Sequence, residues 1–210
     1  MCICKKGMDL FGLPEEHCIE VIDFLDGEEL YFQDEGKCGD YEPDALEQCR
    51  QGLSRMIRNN KGQYLVASKD LILNFEDQTR RQLDCDNVLF MIKLYKNTEG
   101  GSFPVAIQIK SGAKLKSLKC EEKENKRKVL LVEGEAPGYI ENNRHDMVFY
   151  MKGVEDIDDR YTFQSALWSG WYLAFEQEDS QYKLVLKYME DEVDGHVDEN
   201  VHFELESKQN

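Results

Sequence analysis

Hydrophobic and polar residues alternate over short stretches through most of the chain. Val105, Ile107 and Ile109 share one face of such a stretch, and Leu184 shares a face with Leu186 further on. Turn-forming sequences such as NNKG, KSG and PGYIENN separate these stretches. The pattern predicts twelve short strands, at residues 53–58, 63–68, 71–77, 88–96, 104–110, 114–120, 128–133, 146–152, 161–167, 170–176, 182–189 and 201–207. Short strands at this spacing indicate an all-β barrel or sandwich, and periodicity alone does not choose between the two.

A separate hairpin pattern precedes these strands. The stretches CIEVIDFL and EELYFQ, residues 18–25 and 28–33, flank Asp26-Gly27. This dipeptide suits a type I′ turn, because both central residues of such a turn take positive φ. From Asp34 to Gln48 the sequence has glycines, a proline and several acids without an apolar face, which predicts an exposed loop or linker.

Charge divides the chain at the end of this linker. Residues 1–44 hold three lysines against thirteen aspartates and glutamates, a net charge of −10 out of −16 for the whole chain. A protein of this overall charge is repelled by the phosphates of nucleic acids, so no nucleic-acid partner is expected. We call residues 1–44 the leader.

Cysteine usage and hydropathy point to synthesis in the cytosol. The seven cysteines are odd in number and form no CxxC pair, which is typical of a chain made in a reducing compartment. After Lys5 and Lys6 the apolar residues are interrupted at Asp9, so the sequence lacks the apolar core of a signal peptide. No stretch approaches the roughly 18 apolar residues of a membrane span.

The stretch FQSALWSGWYLAFEQED, residues 163–179, resembles the signature of the interleukin-1 cytokine family. The residues that fit are Phe163, Ser165, Ala166, Trp171, Tyr172 and Leu173. Ser169 stands where most of the family has proline, and this departure suits the interleukin-18 branch. Further stretches resemble segments of that branch in the same order along the chain: FLDGEELYF, MIRN, NFEDQT, LFMIKLYKN, SLKCEEK, DMVFYMK and YKLVLK.

This resemblance implies a β-trefoil, in which six strands close a barrel and six more cap it as three hairpins. The trefoil would occupy residues 45–210, and the leader would be an N-terminal propeptide. The chain would then be a pro-inflammatory cytokine precursor rather than an enzyme, without a cofactor. The precursor would stay in the cytosol and be secreted after processing without a classical signal peptide. The mature form, a monomer, would bridge two interleukin-18-type receptor chains with immunoglobulin-like ectodomains, and a soluble decoy protein would be a further partner.

The linker contains a sequence that suits an inflammatory caspase. These proteases cut after aspartate and accept a large aromatic residue three places ahead of it, with a small residue after the bond. The sequence Tyr41-Glu42-Pro43-Asp44, followed by Ala45, meets this description. Proline also keeps the residue before it extended, as a protease cleft requires. A chance match in an acidic loop is the alternative, and Asp40 is a second candidate for the cut.

Four residues are carried over from the resemblance as candidate receptor contacts. They are Arg58, Glu76, Asp77 and Lys123. Each is as well explained as an ordinary exposed charge. Gln78 and Arg80 stand where the interleukin-18 branch tends to have other residues, which suggests that the charge of the partner differs as well.

The sequence is also compatible with other functions. Within the family, the chain could be a receptor antagonist or a divergent interleukin-1-type ligand. Outside it, Trp168, Trp171 and Tyr172 could form the stacking platform of a carbohydrate-binding trefoil, or the chain could be a protease-inhibiting trefoil. Alternating aromatic residues in a strand more often belong to the core of a barrel, and that is the preferred interpretation.

Catalytic and metal sites have weaker support. Cys85 or Cys120 with His145 could supply a thiol and a base, but nothing in the sequence activates either thiol. The histidines lack metal-ligand spacing with the cysteines. Residues 190–200 fail as a calcium loop, because Val201 stands where a bidentate glutamate is required. Neither an enzyme nor a metal site is predicted.

Overall fold

A computed structural model of the chain describes residues 2–8, 14–25, 29–37, 45–96, 102–154, 159–189 and 198–208. Its strands are β1 (Cys2–Met8), β2 (Pro14–Leu25), β3 (Glu29–Lys37), β4 (Leu46–Asn59), β5 (Tyr64–Ala67), β6 (Leu73–Glu76), β7 (Phe90–Lys96), β8 (Phe103–Ser111), β9 (Lys114–Lys123), β10 (Lys126–Glu133), β11 (Tyr139–Ile140), β12 (Phe149–Gly153), β13 (Arg160–Ser165), β14 (Trp171–Glu178), β15 (Gln181–Tyr188) and β16 (Phe203–Glu206). A single 3₁₀ turn, Glu199–Val201, is the one helical element in the described part of the chain.

Antiparallel pairing closes six of the described strands into a barrel. Going around it, β4 pairs with β7, β7 with β8, β8 with β12, β12 with β13, β13 with β16, and β16 returns to β4. A closed barrel leaves none of these strands with an unpaired edge along its full length. Three hairpins, β5 with β6, β9 with β10 and β14 with β15, complete the trefoil.

A tight turn shapes the second of these hairpins. Lys123 lies opposite Lys126, so that Glu124 and Asn125 alone connect the strands. Both connecting residues have positive φ, 54° and 59°. This is the conformation of a type I′ turn, whose twist matches that of the flanking strands.

Aromatic side chains fill the centre of the barrel. Phe203 lies 5.8 Å from Phe75 and 6.1 Å from both Phe163 and Phe175, measured between ring centroids. All four rings are buried, together with aliphatic side chains from β4, β7 and β8. A second, smaller cluster surrounds Leu46 and consists of Tyr95, Ala106, Ala136, Ile140, Val148 and Ala166.

All twelve strands predicted after residue 52 are present, with small shifts at their ends except in β4, which begins well before the predicted residue 53. The predicted loop between Asp34 and Gln48 is too long, because β3 continues to Lys37 and β4 begins at Leu46. Ala45 and Leu46 stand between the acidic linker and the polar pair Glu47-Gln48, so no alternation marked the start of the strand. Its burial depends on neighbours that come from distant parts of the chain.

The leader contains a sheet of its own. β2 pairs with β3, and Leu25 lies opposite Glu29, in the stretch where the sequence predicts a hairpin. Its turn residues Asp26 and Gly27 lie outside the described part of the chain. β1, which was not predicted, pairs with β2 on its other side and completes the order β1-β2-β3. The division into a propeptide and a mature domain stays a prediction.

A buried histidine precedes the last barrel strand. Neither ring nitrogen of His202 has a hydrogen-bond partner among the described residues. Burial lowers the pKa of His202 below its ordinary value of 6.5; nearby Arg160 adds to the decrease, and the carboxylates of Glu199 and Asp198 oppose it. A proton on this ring would therefore be bound more tightly in the unfolded chain than in the folded protein.

Folding stability is expected to decrease as the pH falls below 6.5. Above this pH the imidazole is neutral in both the folded and the unfolded protein, and the contribution of His202 to stability is fully present. Below it the unfolded chain takes up the proton first, so stability is lost as the pH falls towards the pKa of the folded state. Urea unfolding of His202→Leu across this range should show a shallower dependence on pH than the parent. An unchanged dependence would mean that other groups control acid stability.

Candidate receptor-binding surface

A row of polar side chains crosses five neighbouring strands on the outside of the barrel. Strand register places each member of the row opposite the next. In order they are Arg160, Glu204, Arg58, Tyr64 and Glu76. Residues opposite one another point to the same face of a sheet. We call these five residues the charged row.

Hydrogen bonds and ion pairs connect most of this row. Arg58 Nη1 lies 3.1 Å from Glu204 Oε2 and 3.1 Å from Glu206 Oε1. Arg160 Nε lies 3.3 Å from the other oxygen of Glu204. The Tyr64 hydroxyl donates to Glu206 Oε2 at 2.8 Å, and the Arg58 guanidinium lies 5.8 Å from the centre of the Tyr64 ring. Each arginine is thus held in place by groups of this chain.

The electrostatics of the row are dominated by carboxylates. Burial, followed by the hydrogen bond to Glu206, raises the pKa of Tyr64, so its hydroxyl remains a donor at neutral pH. Arg58 is partly exposed but already shares its charge with two glutamates. Glu76 and Asp77 extend the surface with two further acids. A partner at this surface therefore encounters a guanidinium that is fixed in orientation and surrounded by acids.

The structure brings three of the four candidate receptor residues to one region. Arg58 and Glu76 are both next to Tyr64 in the strand register, and Asp77 is exposed directly after β6. Lys123 lies elsewhere, exposed at the tip of the β9–β10 hairpin. Of the predicted cleavage sequence, residues 41–44 lie outside the described residues, whereas Ala45 is described and buried.

The two tryptophans do not form an open stacking platform. The guanidinium of Arg127, from β10, lies 4.9 Å from the centre of the Trp168 ring and 4.8 Å from that of Trp171. Its Nε also lies 3.0 Å from Glu122 Oε2. Trp171 contacts Tyr188 as well, at 5.7 Å between centroids. The expectation that the tryptophans belong to the core holds in part: both are only partly buried, but both pack against the main hydrophobic cluster.

Removing Arg127 is expected to weaken the contact between two cap hairpins. Arg127→Ala should lower the free energy of unfolding by about 1–2 kcal/mol, because two cation–π contacts and the packing of the side-chain stem are lost. Urea unfolding followed by tryptophan fluorescence measures this. Lys126→Ala, which truncates the exposed neighbour, is the control and should change stability little. Equal effects of both substitutions would contradict a stabilising role for Arg127.

Of the two candidate thiols, the one of Cys120 is unsuited to catalysis. Burial raises the pKa of the Cys120 thiol to about 12, so this group is not a thiolate near neutral pH. His145 accepts a hydrogen bond from the backbone N–H of Met147 at 3.1 Å. Within the described residues no group of acids, histidines and cysteines has the arrangement of a metal site.

The comparisons with known sequences decide the family. A sequence model described as Interleukin-1 / 18 matches residues 82–198. Interleukin-18 of the goat, Capra hircus, is 33% identical over 191 residues, which cover 87% of this chain and 93% of the relative. The chain belongs to the interleukin-1/18 family. Interleukin-18 of Homo sapiens is 32% identical over 85% of this chain and 90% of the relative, and that of Gallus gallus is 34% identical over 68% and 75%.

Solved structures of the interleukin-1/18 family support the fold. The crystal structure of chicken interleukin 1 beta covers 77% of this chain and 99% of its own, with a TM-score of 0.56 and 17% identity. A mutant of the same cytokine from Gallus gives a TM-score of 0.58 at 16% identity. The predicted β-trefoil is therefore confirmed.

Membership of the interleukin-1/18 family identifies the chain as a cytokine that acts by binding receptors and has no enzymatic function. Helices that could cross a membrane do not occur among the residues that the structure describes. The charged row contains residues that sequence reasoning did not select, namely Tyr64, Arg160 and Glu204, and it did not select their neighbour Glu206 either. Alternation in β16 places Glu204 and Glu206 on the face of the strand that points away from the core, whereas Phe203 points into it. Alternation could not identify Arg58 as the partner of these glutamates.

Proposed function

We propose that the chain is the precursor of an interleukin-18-type cytokine and that a caspase activates it by cutting after Asp44. Support comes from one observation above all: the closed barrel begins with β4 at Leu46, two residues beyond this aspartate. The strands of the leader pair with one another in a sheet apart from that of the barrel. Removal of residues 1–44 would therefore leave every strand of the trefoil in place.

The mature form would bridge two receptor chains with immunoglobulin-like ectodomains. The charged row with Asp77 would contact one receptor chain, and Lys123 at the tip of the β9–β10 hairpin would contact the other. What supports two separate contacts is that these residues belong to different parts of the trefoil. The acidic leader would keep the precursor inactive by covering basic or apolar surface that a receptor needs.

Processing and receptor engagement can be tested with one preparation of the full chain. The protein is incubated with an inflammatory caspase, the product is sequenced from its N-terminus, and both forms are tested in receptor pull-down and reporter-cell assays. The proposal expects a product beginning at Ala45, and signalling by that product alone. Equal receptor affinity of both forms would contradict the inhibitory leader, and binding without signalling would make the protein an antagonist.

Substitutions in the two contact areas should act differently. Arg58→Ala is expected to weaken binding to one receptor chain by about tenfold or more, because it removes the guanidinium that pairs with two glutamates at this surface. Lys123→Ala should leave that affinity unchanged and reduce assembly of the complex with both chains. Surface plasmon resonance with each receptor ectodomain measures these effects, and Lys61→Ala, which truncates an exposed lysine near Arg58 in sequence, is the control. If Arg58→Ala binds as the parent does, the charged row is not a receptor contact.

The route to the outside of the cell follows from the same proposal. The precursor would be made in the cytosol, and the processed cytokine would leave without a classical signal peptide. Cell fractionation before and after activation of an inflammatory caspase tests this, with the full chain expected in the cytosol and the shorter form in the medium.

A further inference from the structure

The first residues after the proposed cut belong to the folded barrel. Ala45 is 6% exposed and Leu46 is 1% exposed. Leu46 lies opposite Ile140, and Glu47 lies opposite Tyr139 in β11. We call Ala45–Gln48 the anchor segment.

Hydrogen bonds extend the pairing of the anchor segment to its end. The backbone N–H of Gln48 donates to the carbonyl oxygen of Gly138 at 2.7 Å. The hydroxyl of Tyr95, which lies opposite Gln48, donates to the carbonyl oxygen of Pro137 at 2.7 Å. Residues 137–140 are thus tied both to the anchor segment and to β7.

Strand β7 covers the other edge of the anchor segment. Glu47 lies opposite Lys96, and Lys96 Nζ is 3.4 Å from Glu47 Oε2. A break in the register then follows between Gln48 and Gly52. A Cβ on Gly52 would lie 3.0 Å from Lys93 Cδ, so the strands approach closely there. The anchor segment is therefore a central strand between β7 and β11, and the break separates it from the remainder of β4.

We infer that the anchor segment restrains cutting of the bond before it, so that processing after Asp44 requires release of Ala45–Gln48 from β11. This inference rests on the proposed cleavage site. Proteases hold a substrate as an extended strand on both sides of the bond, using the backbone groups that a sheet would otherwise occupy. Leu46 cannot enter such a cleft while it is buried against Ile140.

The restraint should be substantial and specific to one bond. Burial of a leucine side chain corresponds to about one to two orders of magnitude in an opening equilibrium. When opening and closing are fast, cutting follows the population of the open form. The bond after Asp40 lies farther along the chain from Leu46, so cutting there does not require the anchor segment in the protease cleft. The anchor segment thus sets how fast the bond after Asp44 is cut relative to the bond after Asp40.

The test compares the full chain with a synthetic peptide of residues 38–50, both treated with the same inflammatory caspase. The bond after Asp44 should be cut at least about tenfold faster in the peptide. Ile140→Ala, which leaves the peptide sequence unchanged, should raise the rate in the full chain by about tenfold and leave cutting after Asp40 unaltered. Ile72→Ala is the matched control, because Ile72 is 49% exposed, and it should have no effect.

Two further measurements keep the inference testable if Ile140→Ala does not fold or if the caspase cuts neither substrate. Hydrogen exchange of the parent chain should show protection of the Gln48 amide. Thermolysin, which cuts before leucine, should cleave the bond before Leu46 faster in the peptide than in the chain. Failure of the caspase on both substrates overturns the proposed processing site alone. Equal caspase or thermolysin rates on chain and peptide, or an unprotected Gln48 amide, overturn the restraint.

Discussion

Replacing Phe203 with alanine is expected to lower the free energy of unfolding by about 3–5 kcal/mol. Phe203 is buried and contacts the rings of Phe75, Phe163 and Phe175, which come from three other strands. Its strand also closes the barrel, since β16 pairs with both β13 and β4. The cavity left by the ring would thus open where the first and last barrel strands meet.

Urea unfolding of the trefoil measures this effect. Phe103→Ala makes the same chemical change at a position that is only partly buried, and it should cost clearly less. Comparable losses for the two variants would mean that the aromatic cluster around Phe203 is not the main source of stability. Retention of the parent stability in Phe203→Ala would contradict the described core.

Replacing Asp44 with asparagine is expected to reduce processing at this bond by at least about a hundredfold, because a pocket that binds a carboxylate rejects the neutral amide. Asparagine keeps the size of the side chain, and Asp44 lies ahead of the barrel, so folding should not change. Signalling by caspase-treated protein should be lost to the same extent. Gel electrophoresis with N-terminal sequencing and a reporter-cell assay measure the two effects.

Asp40→Asn is the matched control for this substitution. It should leave the product that begins at Ala45 unchanged and remove only a product that begins at Tyr41. If Asp44→Asn still gave a product beginning at Ala45, cutting of this bond would not depend on the aspartate, and the proposed caspase specificity would be wrong. Loss of signalling in Asp40→Asn but not in Asp44→Asn would move the processing site to Asp40.

Local pattern was sufficient to predict most strands of the barrel. In β16, alternation distinguishes the buried Phe203 from Glu204 and Glu206, and the turn at Glu124-Asn125 separates two strands of the second cap hairpin. These signals are local, because period-two burial and turn conformation depend on neighbouring residues. In β8 the pattern was incomplete: Ala106 and Gln108 are buried along with the apolar face. Both faces of a barrel strand are buried where another part of the protein covers the outside of the barrel. Alternation of apolar and polar residues predicts burial of only one face.

The candidate site was predicted only in part. Arg58, Glu76 and Asp77 were selected by resemblance, and the structure brings them to one region. The carboxylates that hold Arg58 lie nearly 150 positions away in sequence, at separations of 146 and 148 residues. The pairing of Arg58 with these carboxylates depends on closure of the barrel, which local sequence patterns do not predict. Lys123 was selected in the same way, but the fold places it on another hairpin.

The sequence by itself determined the all-strand character of the chain, its acidic leader, the caspase-like YEPD sequence and the family resemblance. Each of these features depends only on residues that are close together in the sequence. Only the tertiary structure decided that Leu46 is buried, that Arg127 covers the two tryptophans and that Arg58 is shared by two glutamates. Those contacts join residues far apart in the chain. They form when the last strand, β16, pairs with the first barrel strand, β4, and the closed barrel packs against its cap hairpins.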